Sequence, residues 1–202
     1  GRCSGILPKD QIIPGEKLEM GSSVKVYVSK LEIGPKGPFI MLSRSHYGFV
    51  KRLLEIEIPE LSDGTIMLYS VARDAGSRSK IAVYTEYTNV DPIGAVIGEK
   101  GRRIANVLKE LSGEKIDVIL YDKDPVKFIA NALSPAKDVK VSIKDETKKE
   151  ALALVNDKNL SLAIGKKGQN VKLASRLTHY KIEVKPEEQE NTETTEETSA
   201  EE

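Results

Sequence analysis

Two short stretches, "AVIGEKGRRI" at 95–104 and "LAIGKKGQNV" at 162–171, set the sequence Gly-X-X-Gly between apolar runs. Their first glycines, Gly98 and Gly165, stand 67 positions apart. A lone glycine pair is most simply a helix break. Here the surroundings recur too, and an internal repeat constrains the fold far more than one motif does. Ahead of the first stretch, Phe49, Val50, Leu53 and Leu54 share a helical face that Pro59 ends. Two strands follow, "TIMLYSVA" (65–72) and "KIAVYT" (80–85), joined by "RDAGSRS". Beyond the glycines, Ile104, Val107, Leu108 and Leu111 repeat at helical spacing, Gly113 stops the helix, and "KIDVILY" (115–121) is a strand apolar on both faces. The order then starts again. Asp124 and Pro125 open a helix with Val126, Ile129, Ala130 and Leu133 on its apolar face, the remaining Asp of "VNDKN" reads as a second helix cap, and strands are expected at 139–143, 151–155 and 181–184. Each unit thus reads helix–strand–strand–helix–loop–helix–strand.

The loops carry a chemistry of their own. A tight turn between helices needs backbone angles that β-carbons resist, and glycine supplies them. Gly98 and Gly101, like Gly165 and Gly168, also remove side chains that would hold a ligand off the backbone. The helix that follows offers free N–H groups and a positive dipole end to an anion. Lys100, Arg102 and Arg103 surround the first loop; Lys166, Lys167 and Lys172 surround the second, with Gln169 and Asn170 opening its helix. Ile97 and Ile164 can wall an apolar groove beside the phosphate-binding edge. Charge along a backbone with an aliphatic floor under the bases suits a single-stranded nucleic acid. Glu99 stands where the second loop has Lys166, so the first loop is expected to grip phosphate less tightly, with Arg102 and Arg103 partly offsetting the difference. Neither loop has the glycine spacing and Lys-Ser/Thr of a P-loop, and no dinucleotide-type glycine fingerprint follows a strand.

Outside the repeats the sequence says less. "VKVYV" (24–28) and "PFIMLSR" (38–44) alternate around the turn "GPKGP", an expected hairpin that needs a larger sheet. The chain does not begin with Met, and we read it as a piece whose first barrel strands lie upstream of Gly1. Residues 187–202 hold eight Glu and no Lys or Arg, so the formal net charge of zero hides a body with 31 basic and 23 acidic residues. So little in that tail is apolar that disorder is expected. It is either a solubilising tail or an acidic strand that competes for the body's own basic surface. With 5% aromatics and no Trp, small aliphatic cores are expected. One cysteine excludes an internal disulfide, and His46 and His179 lack partners at ligand spacing, so neither a metal nor any other cofactor is expected. Neither a membrane-length apolar run nor a signal peptide is present, which points to a cytoplasmic protein with no membrane partner.

The strand–strand–helix–GXXG–helix–strand order with an extra helix first resembles the bacterial-type (type II) KH domain. The segments "LSRSHYGFVKRLLEIEIPELSDGTIMLYSVARDAGSRSKIAV", "VDPIGAVIGEKGRRI", "LKELSGEKIDVI", "FIANALSPAKDV" and "LSLAIGKKGQNVKLASRLTHYKIEV" are similar to the NusA family of transcription factors. The resemblance covers nearly the whole chain outside the tail. It implies an α+β protein: a partial OB-type RNA-binding barrel over 1–45, a first KH domain over 46–123, a second over 124–186, and the acidic tail, each KH domain with a three-stranded sheet and three helices. It also implies a polymerase-binding domain ahead of the barrel. By resemblance the protein is not an enzyme. It is a monomer that binds nascent single-stranded RNA beside RNA polymerase in elongation, pausing, termination and antitermination. The expected RNA-binding residues are Ile97, Gly98, Glu99, Lys100, Gly101, Arg102 and Arg103 in the first loop. In the second they are Ile164, Gly165, Lys166, Lys167, Gly168, Gln169, Asn170 and Lys172. Arg44, with Lys51 beside it at the barrel–KH junction, is a weaker candidate. Two alternatives stand. A phosphorolytic ribonuclease fragment also joins KH to an OB barrel, in the reverse order, and a protein-interaction scaffold could use the KH sheets.

Overall fold

The computed structural model describes residues 4–35 and 37–187. The acidic tail beyond Glu187 lies outside them. Three sheets of three strands follow one another along the chain. In the first, β2 (Tyr27–Gly34) and β3 (Gly37–Ser43) form the expected hairpin, with Gly34 opposite Gly37. The expected strand at 24–28 is displaced toward the turn. Arg44 takes the Lys25 carbonyl as a hydrogen-bond acceptor, and a register shift falls between Val28 and Lys30. A two-residue strand, β1 (Gly5–Ile6), pairs in parallel with β3 and is too short for periodicity to reveal. Ile13, 1% exposed, pins this N-terminal region into the core of the first repeat.

The first repeat opens with α1 (Tyr47–Glu57), capped by His46 Nδ1, which accepts from Gly48 N at 3.0 Å. Phe49, Val50, Leu53 and Leu54 are buried, as their spacing predicts. Pro59 not only follows that helix but starts a short one, α2 (Pro59–Ser62), where its missing N–H costs nothing. Strands β4 (Met67–Asp74) and β5 (Arg78–Tyr84) are antiparallel, and β6 (Lys115–Leu120) lies parallel to β5 at the edge. Between β5 and β6 run α3 (Pro92–Ile97), the first glycine loop and α4 (Arg102–Lys109). The second repeat copies this plan with α5 (Pro125–Ala132), β7 (Lys140–Asp145), β8 (Glu150–Val155), α6 (Asp157–Ile164), the second loop, α7 (Gln169–Thr178) and β9 (Lys181–Pro186). Asp124 caps α5 by accepting from Val126 N. The cap of α6 is Asn156, not the expected Asp157, which is already the first helical residue.

The repeats share a core. Ile81 and Val83 of β5 face their own helices, whereas Ala82 on the other face, with Ala72 and Ile119, joins Phe128, Ile129, Leu133, Leu173 and Leu177 of the second repeat. The first sheet is thus covered on both faces, which is why β6 reads as apolar on both. This also corrects the face expected for α5. Phe128 and Ala132 are buried beside Ile129 and Leu133, while Val126 and Ala130 are only half-buried, because the helix is wedged between two sheets. Two polar ties cross the same junction. Ser70 Oγ donates to Leu177 O at 2.8 Å, and the fully buried Lys80 reaches Asp117 at 3.1 Å and Ser134 O at 2.7 Å. Among the described residues no helix is long and apolar enough to cross a membrane.

Candidate nucleic-acid interface

The two loops have the same backbone. Gly98 sits at φ 74°, ψ 171° and Gly165 at 75°, 169°; Lys100 sits at 52°, 28° and Lys167 at 54°, 27°; Gly101 sits at 72°, 14° and Gly168 at 73°, 16°. The glycines do separate jobs. A β-carbon on Gly98 would lie 2.6 Å from Arg103 Cγ, and one on Gly165 would lie 2.7 Å from Asn170 Cβ, so the first glycine of each pair lets the two helices close. A β-carbon on Gly101 would meet nothing within 4 Å, and one on Gly168 only the end of Lys172 at 3.8 Å. Only the second glycine presents bare backbone outward.

The helices that follow are open at their starts. Side chains cap α1, α3, α5 and α6, yet none caps α4 or α7. The Arg102 and Gln169 amides donate to Glu99 O and Lys166 O of the turns before them, so what each helix start offers an anion is the positive end of the helix. Lys100, Lys166 and Lys167 are exposed on the loops, and Glu99 projects from the first. Ile97 is 37% exposed at the end of α3, and Ile164 is half-buried at the equivalent place. Beside α3, a groove of about 710 Å³ runs between Ile93 and the Val118–Leu120 edge of β6, then passes Asn131 and Lys137 in the second repeat. Lys137 N donates to Asn159 of α6, the helix that leads to the second loop. Asn131 and Lys137 escaped the sequence reading because only the packing of the two repeats brings them to this groove.

Three expected site residues turn out to be internal ties. Arg44 is 3% exposed, its guanidinium donating to both Glu16 oxygens, at 2.8 and 2.5 Å, and to the carbonyls of Lys25 and Glu110. It lies over the Phe49 ring at 4.9 Å and has no face left for RNA. Glu16 is held below the usual carboxylate range: burial pushes it up, but hydrogen bonds from Arg44 and Ser112 outweigh that. Asn170 is buried, and its Nδ2 donates to the carbonyls of Leu133, Leu162 and Ala163 at 3.0–3.1 Å. Arg103, at the matching position of the first loop, does the same work with a longer reach. Its Nη1 donates to Ala95 O, the counterpart of Leu162 O, and to Glu60, all at 2.9 Å. Each side chain thus holds the end of the helix before its loop, Arg103 with 36% of its side chain still exposed.

The remaining candidates lie on or beside the two loops, and Gln169 is also tied to the first repeat. Its Nε2 donates to Asp74 Oδ2 at 2.6 Å and Ser77 Oγ at 2.7 Å, so the β4–β5 turn of the first repeat abuts the second loop.

Two GXXG turns of one geometry, each on a three-stranded sheet backed by helices, define a tandem KH protein of the type in which the extra helix comes first. Residues 44–121 match the NusA-like first KH domain and residues 125–192 the NusA-like second KH domain. The chain belongs to the NusA family. The protein named transcription termination/antitermination protein NusA in Halalkalibacterium halodurans is 49% identical over 187 residues, covering 93% of this chain and 49% of that one. Its namesake in Bacillus subtilis is 49% identical over 187 residues, covering 93% and 50%. In Thermus thermophilus the figures are 47% over 182 residues, covering 90% and 47%. The chain spans about half the length of the curated relatives it matches.

Proposed function

We propose that the chain binds one extended strand of RNA through both glycine loops and acts, without catalysis, in transcription elongation, pausing, termination and antitermination beside RNA polymerase in the cytoplasm. The observation that carries this reading is the pairing of two loops of one backbone geometry, each with exposed basic side chains, on units that share a core. Phosphates meet Lys100 and Arg102 in the first loop and Lys166 and Lys167 in the second, at the positive ends of α4 and α7. Bases lie over Ile97 and Ile164. The groove past Leu120, Asn131 and Lys137 carries the strand from one loop toward the other. The relatives' shared name supports the transcriptional part of the proposal, and the N-terminal sheet is read as part of the OB-type barrel.

The test is photocrosslinking of the full chain to random pools of single-stranded RNA, with the crosslinked residues mapped. Crosslinks are expected at Ile97–Arg102, at Ile164–Gln169 and along Leu120–Lys137. Crosslinks confined to the outer sheet of the second repeat, with neither loop marked, would overturn the proposal.

A further inference from the structure

The second loop has a neighbour that the first lacks. The β4–β5 turn of the first repeat stands across from the start of α7, and a cleft of about 470 Å³ opens between them. Lys166, Lys167, Lys172 and Arg176 line one wall; Asp74 and Ser77 line the other. Asp74 is engaged by Gln169, as is the Ser77 oxygen, whose hydroxyl proton is still free to donate. Four cations against one carboxylate leave the cleft strongly positive.

Nothing among the described residues balances this charge. Among the described residues none of the four cations is in an ion pair, whereas on the second sheet Lys144 and Lys181 each find a glutamate, Glu183 and Glu150. Lys172 and Arg176 lie one turn apart on the exposed face of α7, so they repel one another, and the helix holds no acidic residue to balance them. The first repeat does not share the arrangement: 67 positions earlier stand Ala105 and Lys109, with Arg102 in place of Gln169. The cations therefore accumulate where the first repeat faces the second loop. The lining includes one aliphatic residue, Leu173, and no aromatic ring on which a base could stack. Amines, a guanidinium and a hydroxyl around an open, wet cleft are groups that bind a phosphodiester.

We propose that this cleft is a backbone subsite of the RNA-binding surface. It holds the phosphates that flank the nucleotides clamped by the second loop, with Lys172 and Arg176 as their principal partners and Ser77 as a donor from the first repeat. The strand is thus gripped on both sides of the second loop, and the site exists only because the two repeats are packed together. This inference rests on the RNA-binding function proposed above.

The experiment uses the full chain, the double variant K172A/R176A and fluorescently labelled random single-stranded RNA of two lengths. The short RNA has about four nucleotides, the length one GXXG loop clamps, and the long one about twelve. Both side chains are exposed, so an unchanged melting temperature is expected. Affinity for the long RNA should fall about tenfold, with the slope of log K against log salt shallower by about 1.4, or 0.7 for each lost phosphate contact. With the single variant R176A, a residue outside the loop's own set, the short RNA should bind within about twofold of wild type. Long-RNA affinity and slope equal to wild type would overturn the subsite alone. An equal loss at both lengths with R176A would overturn it too, because Arg176 would then belong to the loop clamp itself. A variant that keeps RNA binding but loses binding to a polyglutamate peptide would reassign the cleft to acidic protein segments. Wild-type protein that binds neither RNA would overturn both this inference and the function on which it rests.

Discussion

Gly98 and Gly101 are three positions apart and chemically identical, yet the backbone requires different things of them. The first glycine of each loop, at φ near 75° and ψ near 170°, occupies a region that is essentially glycine's alone. The second, at φ near 73° and ψ near 15°, is left-handed helical, where asparagine is also found. Gly165→Asn should therefore cost at least about 1–3 kcal/mol and open the α6–α7 junction. Gly168→Asn should cost about 1–2 kcal/mol, leave the fold intact and weaken RNA binding by crowding the bare backbone. Urea titration and RNA anisotropy on both variants check the pair. The sequence made all four glycines visible; it could not separate their roles, because those depend on what Arg103 and Asn170 bring up against them. Arg44 teaches the same lesson from the other side. A basic residue at a domain edge resembles an RNA contact until Glu16, 28 positions away in sequence, encloses it. Breaking a buried pair by removing one partner costs about 3–5 kcal/mol, so Arg44→Ala should lower stability by roughly that amount and leave the RNA affinity of the folded protein unchanged. A specific loss of affinity at unchanged stability would return Arg44 to the site.

Among the elements, the helix–loop–helix units were the most legible. Periodicity gave the buried face of α1 and, for α4, Ile104 and Val107 but not Leu108, which stays out of the core, and Asp124–Pro125 gave the start of α5, because these signals are local. Capping was less so: Asn156 rather than Asp157 closes α6, a choice set by which side chain reaches the Asn159 amide. The end of α6 depends on a contact no local rule predicts. Asn170 hydrogen-bonds three carbonyls while its own Oδ1 is buried without a partner. Asn170→Ala would take this donor from Leu162 O and Ala163 O, while Leu133 O keeps Ala136 N, and should cost about 1–3 kcal/mol. Hydrogen exchange should become faster at the end of α6 and in the second loop, ahead of the rest of the repeat. Uniform protection across both would contradict the tie. The displaced strand β2 and the two-sided burial of α5 were hidden for a common reason: each is settled by a partner distant in the chain.

For the molecule as a whole, the repeats were legible as two units but not as one body. The clue was present in "KIDVILY", apolar on both faces, but what covers the second face is the next repeat. Lys80 ties that junction by donating across it to Ser134 O, with Asp117 of β6 as its carboxylate partner within the first repeat. Burial pushes the Asp117 carboxyl up, but hydrogen bonds from Arg78 and Lys80 outweigh it and hold the group below its ordinary value. Its contribution to stability is thus fully present above the unfolded pKa of about 3.9 and fades as the pH falls through the lower folded value. Asp117→Asn, which leaves buried Lys80 without its carboxylate, should be less stable than wild type at neutral pH, and the gap should narrow on acidification. Parallel stability curves would refute that assignment. The central claim concerns how two equivalent loops on this frame share one strand, and the most direct measurement is a four-way comparison on a single RNA of about twelve nucleotides. Wild type is set beside E99D/K100D, K166D/K167D and the quadruple variant, all with exposed substitutions that leave the fold intact. Because a second linked contact gains from effective concentration, each pair alone should give a partial loss, larger for the second loop, and the quadruple variant should lose binding by at least about a hundredfold. A quadruple variant that binds as wild type does, or one pair that accounts for the whole loss, would contradict the two-loop clamp.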